Sequence, residues 1–483
     1  LVTDLYQLTM VYGYWKRRMH ERRAAFAHFF RRAPFMGGFA VACGLGTAVA
    51  YLERLRFDAQ DLAYLATLTD STGQPLFSPE FLEFLEGFRF ACDVHAVPEG
   101  TVVFPREPMV RVEGPLYQCQ LIETALLCLV NFQTLIATKA ARVCLAAEGD
   151  PVFEFGLRRA QGMDGGLSAA RAAYVGGCAG TSNVLAGRLF GIPCKGTHAH
   201  SWVMCFPSER EAFQAYAEAM PGNCILLVDT YGTEQGIENA IETAHWLADH
   251  GHRLNGVRLD SGDLDALSRM ARERLDNAGL QDVAIVGSND LDEHAVAELK
   301  RKGAPIRVWG VGTRLATGYA DAALGGVYKL TAIQDEHGQW LGKLKLSDEA
   351  TKSSLPGHAL QVRRVLDRNG LFAGDIVYQE PGAPLPGSTV HDLISGKPLF
   401  TLTADAVATD LLGPVFIDGR CVYDPLALAA VRDRCQEQLR LVPEQVRRLQ
   451  EPAVYPVGME QGLESVRRTL RDQFSSSGGH PGE

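Results

Sequence analysis

Residues 224–264, CILLVDTYGTEQGIENAIETAHWLADHGHRLNGVRLDSGDL, decide how this chain folds. Two short apolar runs, 225–228 and 256–259, each close on an aspartate, Asp229 and Asp260, and a longer amphipathic stretch separates them. That is the size and pattern of one βα unit. The unit recurs on both sides. VFEFGLRR (152–159), YVGGCAGTSN (174–183), CKGTHAHS (194–201), VAIVGSNDL (283–291), RVWGVGTRL (307–315) and GVYKLTAI (326–333) bring the series to eight. SEREAFQAYAEAM (208–220) and DLDALSRMARERLDNAG (263–279) read as intervening helices, and Ser208 with Glu211 makes a capping-box start. Six to eight such units in a row predict an α/β protein built on a parallel β/α barrel. An open, doubly wound sheet is the alternative. In a barrel, catalytic groups lie at the carboxyl ends of strands. The strand ends here carry Arg158 and Arg159, Thr181 and Ser182, His198 and His200, Asp229, Arg258 with Asp260, Ser288 with Asn289, and Gly312 with Thr313.

Around this core the pattern is mixed. TDLYQLTMVYGYWK (3–16) predicts a helix capped by Thr3 or Asp4, with Leu5, Leu8, Tyr12 and Trp15 at helical spacing. AAFAHFF, FAVACG and DVHAVPEGTVVFPREPMVRVEGP predict short strands, and a long helix is expected from about Tyr117 to Ala147. These features predict an α+β sandwich domain over 1–150 and the barrel over 151–335. In 336–483, strands in WLGKLKLSDEATKSSLPG and ALQVRRVLDRNG are expected to rejoin the N-terminal half. Two polar helices are expected in 441–474, followed by a disordered SSSGGHPGE tail.

Composition narrows the function classes. The chain has 483 residues and a formal net charge of -10, which argues against non-specific nucleic-acid binding. Its eleven cysteines form no CxxC pair, and Cys119, Cys128 and Cys144 sit in apolar runs. Reduced thiols in a cytoplasmic protein are the expectation. LVTDLYQLTM has no signal-peptide pattern; the absence of an initial Met is read as a trimmed or partial N-terminus. The apolar stretch LIETALLCLVNF (121–132) reads as too short and too polar to span a membrane.

Arginine forks and backbone amides in glycine turns suit phosphate oxygens. GVGT, with Gly310, Gly312 and Thr313, is a candidate cradle, or simply a tight turn. In RLDSGDL, Asp260 and Asp263 suit Mg²⁺ or ribose hydroxyls, unless Asp263 only caps the next helix. Of the adjacent Arg158 and Arg159, one is expected to face the site and the other to form an ion pair. The HxH pair His198 and His200 would share one face of a strand and could grip a metal. A two-metal hydrolase would need further strand-end histidines. His245, His250, His252 and His294 lie in helical stretches or loops instead. His200, next to Ser201 at a helix entry, is therefore the catalytic candidate, and His198 is expected to be structural.

The segments FEFGLRRAQGMDGGLSAARAAYVGGCAGTSNVLAG, GTHAHSW, LLVDTYGT, GVRLDSGDL, GVGTRL, GGVYKLTAI and KSSLPG occur in that order, after the opening VTDLYQLTM. Together they resemble the nicotinate phosphoribosyltransferase family over nearly the whole chain. The resemblance implies a type II phosphoribosyltransferase fold, an irregular β/α barrel packed on an N-terminal open sandwich. It implies ATP-coupled, ligase-type transfer of phosphoribose from 5-phosphoribosyl 1-diphosphate to nicotinate, with Mg²⁺ as cofactor. It also implies a homodimer with shared active sites. By the same resemblance His200 becomes phosphorylated, Tyr6 stacks on nicotinate, and Thr197 and Arg258 bind it. Thr313, with Gly310, Gly312, Arg158, Arg159 and Ser201, serves the phosphates. Asp260, Ser288 and Asn289 contact ribose or phosphate, and Asp260 is also a catalytic and Mg²⁺ candidate. His198 stands where some members have an apolar residue, which leaves its role open. A nicotinamide enzyme would be expected to place an Asp near GTSN (180–183), where Thr181, Ser182 and Asn183 are uncharged. A quinolinate enzyme, a metal-dependent barrel hydrolase and a non-catalytic phosphate-binding module compete with the nicotinate assignment.

Overall fold

The computed structural model describes residues 2–346 and 354–477. Its mixed α/β chain forms two compact units, Leu135–Ala322 and the sequence on either side of it.

Unit Leu135–Ala322 holds a six-stranded parallel sheet. Its order is Gly180–Thr181, Val152–Glu154, Val308–Val311, Ala284–Gly287, Gly256–Leu259, Ile225–Leu227. These strands read as apolar runs because they are covered on both faces, and Leu226, Leu227, Val257, Leu259, Ile285, Trp309 and Val311 are all buried. The helix Thr233–Asp249 buries Ile237, Ala240, Ala244 and Leu247, the stripe that helical spacing requires. Ser208 accepts from the Glu211 N–H at 3.2 Å and starts the helix Glu209–Ala219. Asp263 accepts from the Asp265 and Ala266 N–H groups, so it caps the helix Leu264–Asn277.

Two of the eight expected strands behave differently. In CKGTHAHS only Cys194 pairs, through a single parallel bridge to Thr181. GVYKLTAI forms the strand Gly326–Gln334, which leaves this sheet and runs antiparallel to Arg23–Phe30, with Phe26 and Tyr328 stacked 4.9 Å apart. The reason is the connection before it. Only the one-turn helix Thr313–Ala316 precedes this strand, and a parallel crossover needs a longer covering helix. The units therefore divide at 322/323 rather than at 335/336. At the other end the division falls inside the helix Glu123–Ala146 rather than at 150.

The other unit contains two large sheets and a two-stranded one, Ala40–Val41 with Val102–Val103. One runs Trp340–Gly342, Gly326–Gln334, Arg23–Phe30, Val110–Pro115, Asp93–Ala96, Gly413–Ile417, Arg420–Cys421. The second runs Pro398–Thr401, Thr389–Asp392, Val457–Met459, Phe372–Gln379, Leu360–Leu366, Val407–Asp410. The N-terminal helix Leu5–Lys16 packs Leu8 and Val11 into a core with Phe57, Phe77, Phe81 and Phe88. Asp4 is its N-cap by position, but its side chain accepts from Thr124 Oγ1 at 2.6 Å instead of closing the helix.

Three local expectations need correction. The long helix is two, Leu116–Leu121 and Glu123–Ala146. The second is long and apolar enough by length and composition to cross a membrane, but 67% of its apolar window is buried within the molecule, as in a core helix. The polar segment 441–474 holds two helices, but the first is a single turn and an unexpected strand separates them. It holds the single turn Glu444–Arg447, then the strand Val457–Met459, which pairs parallel to Phe372–Gln379, then the helix Gln461–Ser477. Of the expected strand–turn segment 340–357, Trp340–Gly342 is a strand and 347–353 lie outside the described residues. Of the expected disordered tail, Ser475–Ser477 instead end the last helix and 478–483 lie outside the described residues. All eleven cysteines are free thiols.

Candidate active site

The strand-end side chains meet around Arg258. Its Nε donates to Ser288 Oγ at 2.7 Å, Nη1 to Thr197 Oγ1 at 3.2 Å, and Nη2 to Asp260 Oδ1 at 2.7 Å. Three of the five guanidinium N–H groups are thus committed, and two remain. The guanidinium carbon lies 5.9 Å from the centre of the Phe155 ring. Phe155 also packs on Gly310, where a Cβ would lie 2.8 Å from the ring. Glycine at 310 is therefore what lets the aromatic ring reach the strand ends.

Asp260 is held by several partners. Burial pushes its carboxyl up, but the Arg258 charge and hydrogen bonds from Ser288 and Arg258 outweigh it, so the pKa lies below the ordinary aspartate value. The Asp260 N–H donates to Asp229 Oδ2 at 2.9 Å, and Ser261 Oγ donates to the same oxygen at 2.6 Å. Asp229 Oδ1 is buried and has no hydrogen-bond partner among the described residues. Asp263 points elsewhere, as the helix cap described above.

His200 is the first residue of the helix His200–Met204. Its Nδ1 lies 3.2 Å from Thr230 Oγ1, and its Nε2 lies 3.9 Å from Asp260 Oδ2. His198 is in a different situation. It is buried, its Nε2 accepts from the Leu227 N–H at 3.2 Å, and its Nδ1 lies 3.3 Å from the Ala199 carbonyl oxygen. The Tyr216 ring meets it edge-on at 4.8 Å. Both ring nitrogens are used by backbone, so the HxH pair does not form a metal grip. Among the described residues no three His, Cys, Asp or Glu side chains converge as metal ligands.

The remaining candidates divide. Gly156 opens the turn that carries Arg158 and Arg159, and a Cβ there would lie 2.7 Å from the Gly312 carbonyl oxygen. The Arg158 turn and the GVGT turn are thus in direct backbone contact. Both arginines are exposed on the single 3₁₀ turn Leu157–Arg159, and neither has an ion-pair or hydrogen-bond partner among the described residues. The expected structural ion pair is absent there, because the chain turns instead of continuing as a strand with opposed side chains. Asn289 is exposed with φ of 117°, a conformation few non-glycine residues adopt. Thr313 and Gly312 are half-buried, and Ser201 is exposed. Tyr6 lies on the helix Leu5–Lys16 of the other unit and is half-exposed.

Sequence reasoning passed over Phe155 and Glu154. Glu154 is buried, accepts from Thr181 Oγ1 at 2.6 Å and from the Gly156 N–H, and burial raises its pKa. Both its oxygens are occupied, so GTSN presents no carboxylate to a ligand. The signal for these residues is their place in VFEFG, at a strand end. Asp229 carries the same signal, and its role emerges only from its bonds to Asp260 and Ser261.

Two buried histidines set an acid limit on stability. His28 is fully buried with Nε2 2.8 Å from Asn131 Oδ1, and burial lowers its pKa to about 4. Burial likewise lowers that of His198 to about 4. Both are neutral in either state above about pH 6.5. Below that the unfolded chain binds protons that the fold refuses, so stability falls as pH drops from about 6.5 to 4 and these groups add no further loss below. Each contributes about 3 kcal/mol over that window. Urea unfolding across this range should show a shallower fall in His28→Gln or His198→Asn than in wild type. Parallel curves would contradict the assignment.

Comparison with known proteins supplies the family. A model described as the nicotinate phosphoribosyltransferase family matches residues 151–341. Models of that family's N-terminal and C-terminal domains match 1–131 and 360–467. The chain is 42% identical to nicotinate phosphoribosyltransferase of Bacillus subtilis over 471 residues, covering 95% of this chain and 93% of that one. It is 35% identical to the Homo sapiens enzyme of the same name over 527 residues, covering 97% and 96%. The crystal structure of human nicotinic acid phosphoribosyltransferase superposes with a TM-score of 0.82 at 33% identity, over 98% of this chain and all of that one. These matches cover nearly the whole chain, the family model at 151–341 spans the strand ends just described, and the chain belongs to the nicotinate phosphoribosyltransferase family.

Proposed function

We propose that this protein transfers the phosphoribosyl group of 5-phosphoribosyl 1-diphosphate to nicotinate, giving nicotinate mononucleotide and pyrophosphate in the salvage of NAD. The observation that carries this reading is Arg258. Its two uncommitted N–H groups suit a carboxylate, and the Phe155 ring beside it suits the face of a pyridine. Thr197 orients the guanidinium from the nicotinate side.

In the reaction the pyridine nitrogen forms a bond to C1 of the ribose while the bond from C1 to the diphosphate oxygen breaks. The ribose acquires oxocarbenium character, so catalysis is positioning plus stabilisation of the leaving charge. Asp260, kept ionised by Arg258 and Ser288, faces the ribose. The Ser288–Asn289 and Gly310–Thr313 turns, Ser201, and the unpartnered Arg158 and Arg159 serve the phosphates. Asp260 and Asp229, with its unpartnered buried oxygen, match the one or two carboxylates with which Mg²⁺ is usually held beside substrate phosphates. A bound Mg²⁺ would supply neutralisation of the diphosphate charge. His200, steadied by Thr230, takes a phosphoryl group from ATP, which is how hydrolysis couples to transfer.

The parallel sheet is the family's irregular barrel in this reading. The Thr181–Cys194 bridge at one edge and the Leu227 N–H bond to His198 at the other support its closure. The active form is a homodimer in which Tyr6 of the partner subunit covers the nicotinate ring, and the free thiols agree with a cytoplasmic setting.

Pyrophosphate release measured with nicotinate, nicotinamide and quinolinate tests the reading. A charge-assisted hydrogen bond from Arg258 to the carboxylate contributes about 1.5–3 kcal/mol, so nicotinate should exceed nicotinamide by at least about tenfold in kcat/KM. Equal turnover of the two pyridines would overturn it.

A further inference from the structure

Two strand-end turns are tied together by charged groups that the chemistry above does not use. Asp292 caps the helix Glu293–Lys302, and its Oδ1 accepts from the His294 and Ala295 N–H groups at 3.1 and 2.9 Å. Its other oxygen, Oδ2, accepts from Arg314 Nη1 at 2.6 Å. Arg314 follows Thr313 directly, and its guanidinium carbon lies 4.7 Å from the centre of the Tyr319 ring. The acid is the shielded half, with 9% of its side chain exposed against 31% for the arginine.

Asp292 is a fixed anchor. The adjacent Glu293 is fully buried, and Lys139 Nζ at 2.8 Å and Arg142 Nε at 2.9 Å hold it from the helix Glu123–Ala146. Upstream, the Leu291 N–H donates to the Asn289 carbonyl at 2.7 Å and so keeps the unusual Asn289 backbone in place. One carboxylate therefore connects a rigid helix start, the Ser288–Asn289 turn and the residue after Thr313.

We propose that Asp292 and Arg314 form a positioning pair that holds the Gly312–Thr313 turn at a set distance from the Ser288–Asn289 turn, so that both meet the phosphates of 5-phosphoribosyl 1-diphosphate together. The inference rests on the reading of those turns as phosphoribosyl-binding. A short charge-assisted hydrogen bond orders the Thr313 turn before the ligand arrives. Without it the turn is ordered at the moment of binding, and that entropy is subtracted from affinity. Nicotinate is spared, because among the described residues Arg258, Thr197 and Phe155 have no hydrogen bond to either member of the pair.

The test uses the full chain with Arg314→Gln, Asp292→Asn, both together, and Arg314→Lys. Asparagine keeps an oxygen for the helix cap and removes only the charge. Each single change is expected to raise KM for 5-phosphoribosyl 1-diphosphate about tenfold, with kcat and KM for nicotinate within about twofold of wild type. The double variant should be no worse than the poorer single one, and Arg314→Lys should recover much of the loss. Losses that multiply in the double variant would overturn the pair and make Arg314 a direct ligand. An unchanged KM for 5-phosphoribosyl 1-diphosphate, or an equal drop in every parameter, would also overturn it. Equilibrium binding of 5-phosphoribosyl 1-diphosphate to the wild-type protein separates the two levels. Its absence would remove the functional reading itself, whereas normal binding by wild type and variants alike would remove only the pair.

Discussion

Replacing Arg258 with alanine is expected to lower kcat/KM for nicotinate by about a hundredfold to a thousandfold. Two effects add. The nicotinate carboxylate loses its charge-assisted hydrogen bonds, which are worth about 1.5–3 kcal/mol. Asp260 also loses the cation that keeps it ionised despite burial, and Ser288 loses its Nε partner. Breaking one side of a shielded ion pair is costly, because the group left behind stays desolvated. Arg258→Lys should fall between the two, since it keeps a charge but lacks the fork that reaches Thr197, Ser288 and Asp260 at once. The loss should be smaller for nicotinamide, so the preference between the pyridines should shrink in the alanine variant. Steady-state kinetics with both substrates would show this. A kcat/KM for nicotinate within about threefold of wild type would mean that the carboxylate is recognised elsewhere.

His200→Ala is expected to abolish phosphorylation of the protein by ATP, and with it all ATP stimulation, while a slow transferase activity survives. Of the two histidines in THAH, only His200 has a nitrogen directed at the Asp260 carboxylate. His198 spends both nitrogens on the backbone, and its lowered pKa keeps it neutral. Radiolabel from ATP that is stable to base and labile to acid should appear in wild type and in His198→Asn. Label persisting in His200→Ala would remove the assignment. The same variant tests the shared site. A Tyr6→Ala chain mixed with a His200→Ala chain should regain ATP-coupled activity after subunit exchange, because one hybrid site carries both wild-type residues. Stacking on the tyrosine ring is worth about 0.5–1.5 kcal/mol beyond burial, so Tyr6→Ala alone should mainly raise KM for nicotinate. Demonstrated heterodimers without recovered activity would show that each site draws on a single chain.

Much of this site is legible in the amino-acid sequence. Arg258, Asp260 and Ser288 stand at the ends of apolar runs in a chain that alternates strand and helix, and the parallel sheet gathers such ends by geometry. Local signals of this kind need only the neighbouring ten or twenty residues. Asp263 and Ser208 are legible as helix caps for the same reason, since a cap acts within one turn.

What the one-dimensional pattern could not decide was partnership. GVYKLTAI is as apolar as the strands of the parallel sheet, yet it pairs with Arg23–Phe30, some three hundred residues earlier, because no long covering helix precedes it. The segment around Val457–Met459 reads as helical and polar, but a vacant place beside Phe372–Gln379 makes it a strand. His198 and His200 share a motif and differ in surroundings, because one meets the Leu227 N–H and the other the Thr230 hydroxyl. Phe155 gains its role only from the glycine at 310 that admits its ring, and Asp292 only from the arginine that folds back onto it. The sequence by itself determined the βα alternation, the strand-end chemistry and the caps, all of which depend on periodicity and nearest neighbours. The tertiary structure alone decided which strand pairs with which and which side chains are buried or free, because those depend on contacts between residues far apart in the chain.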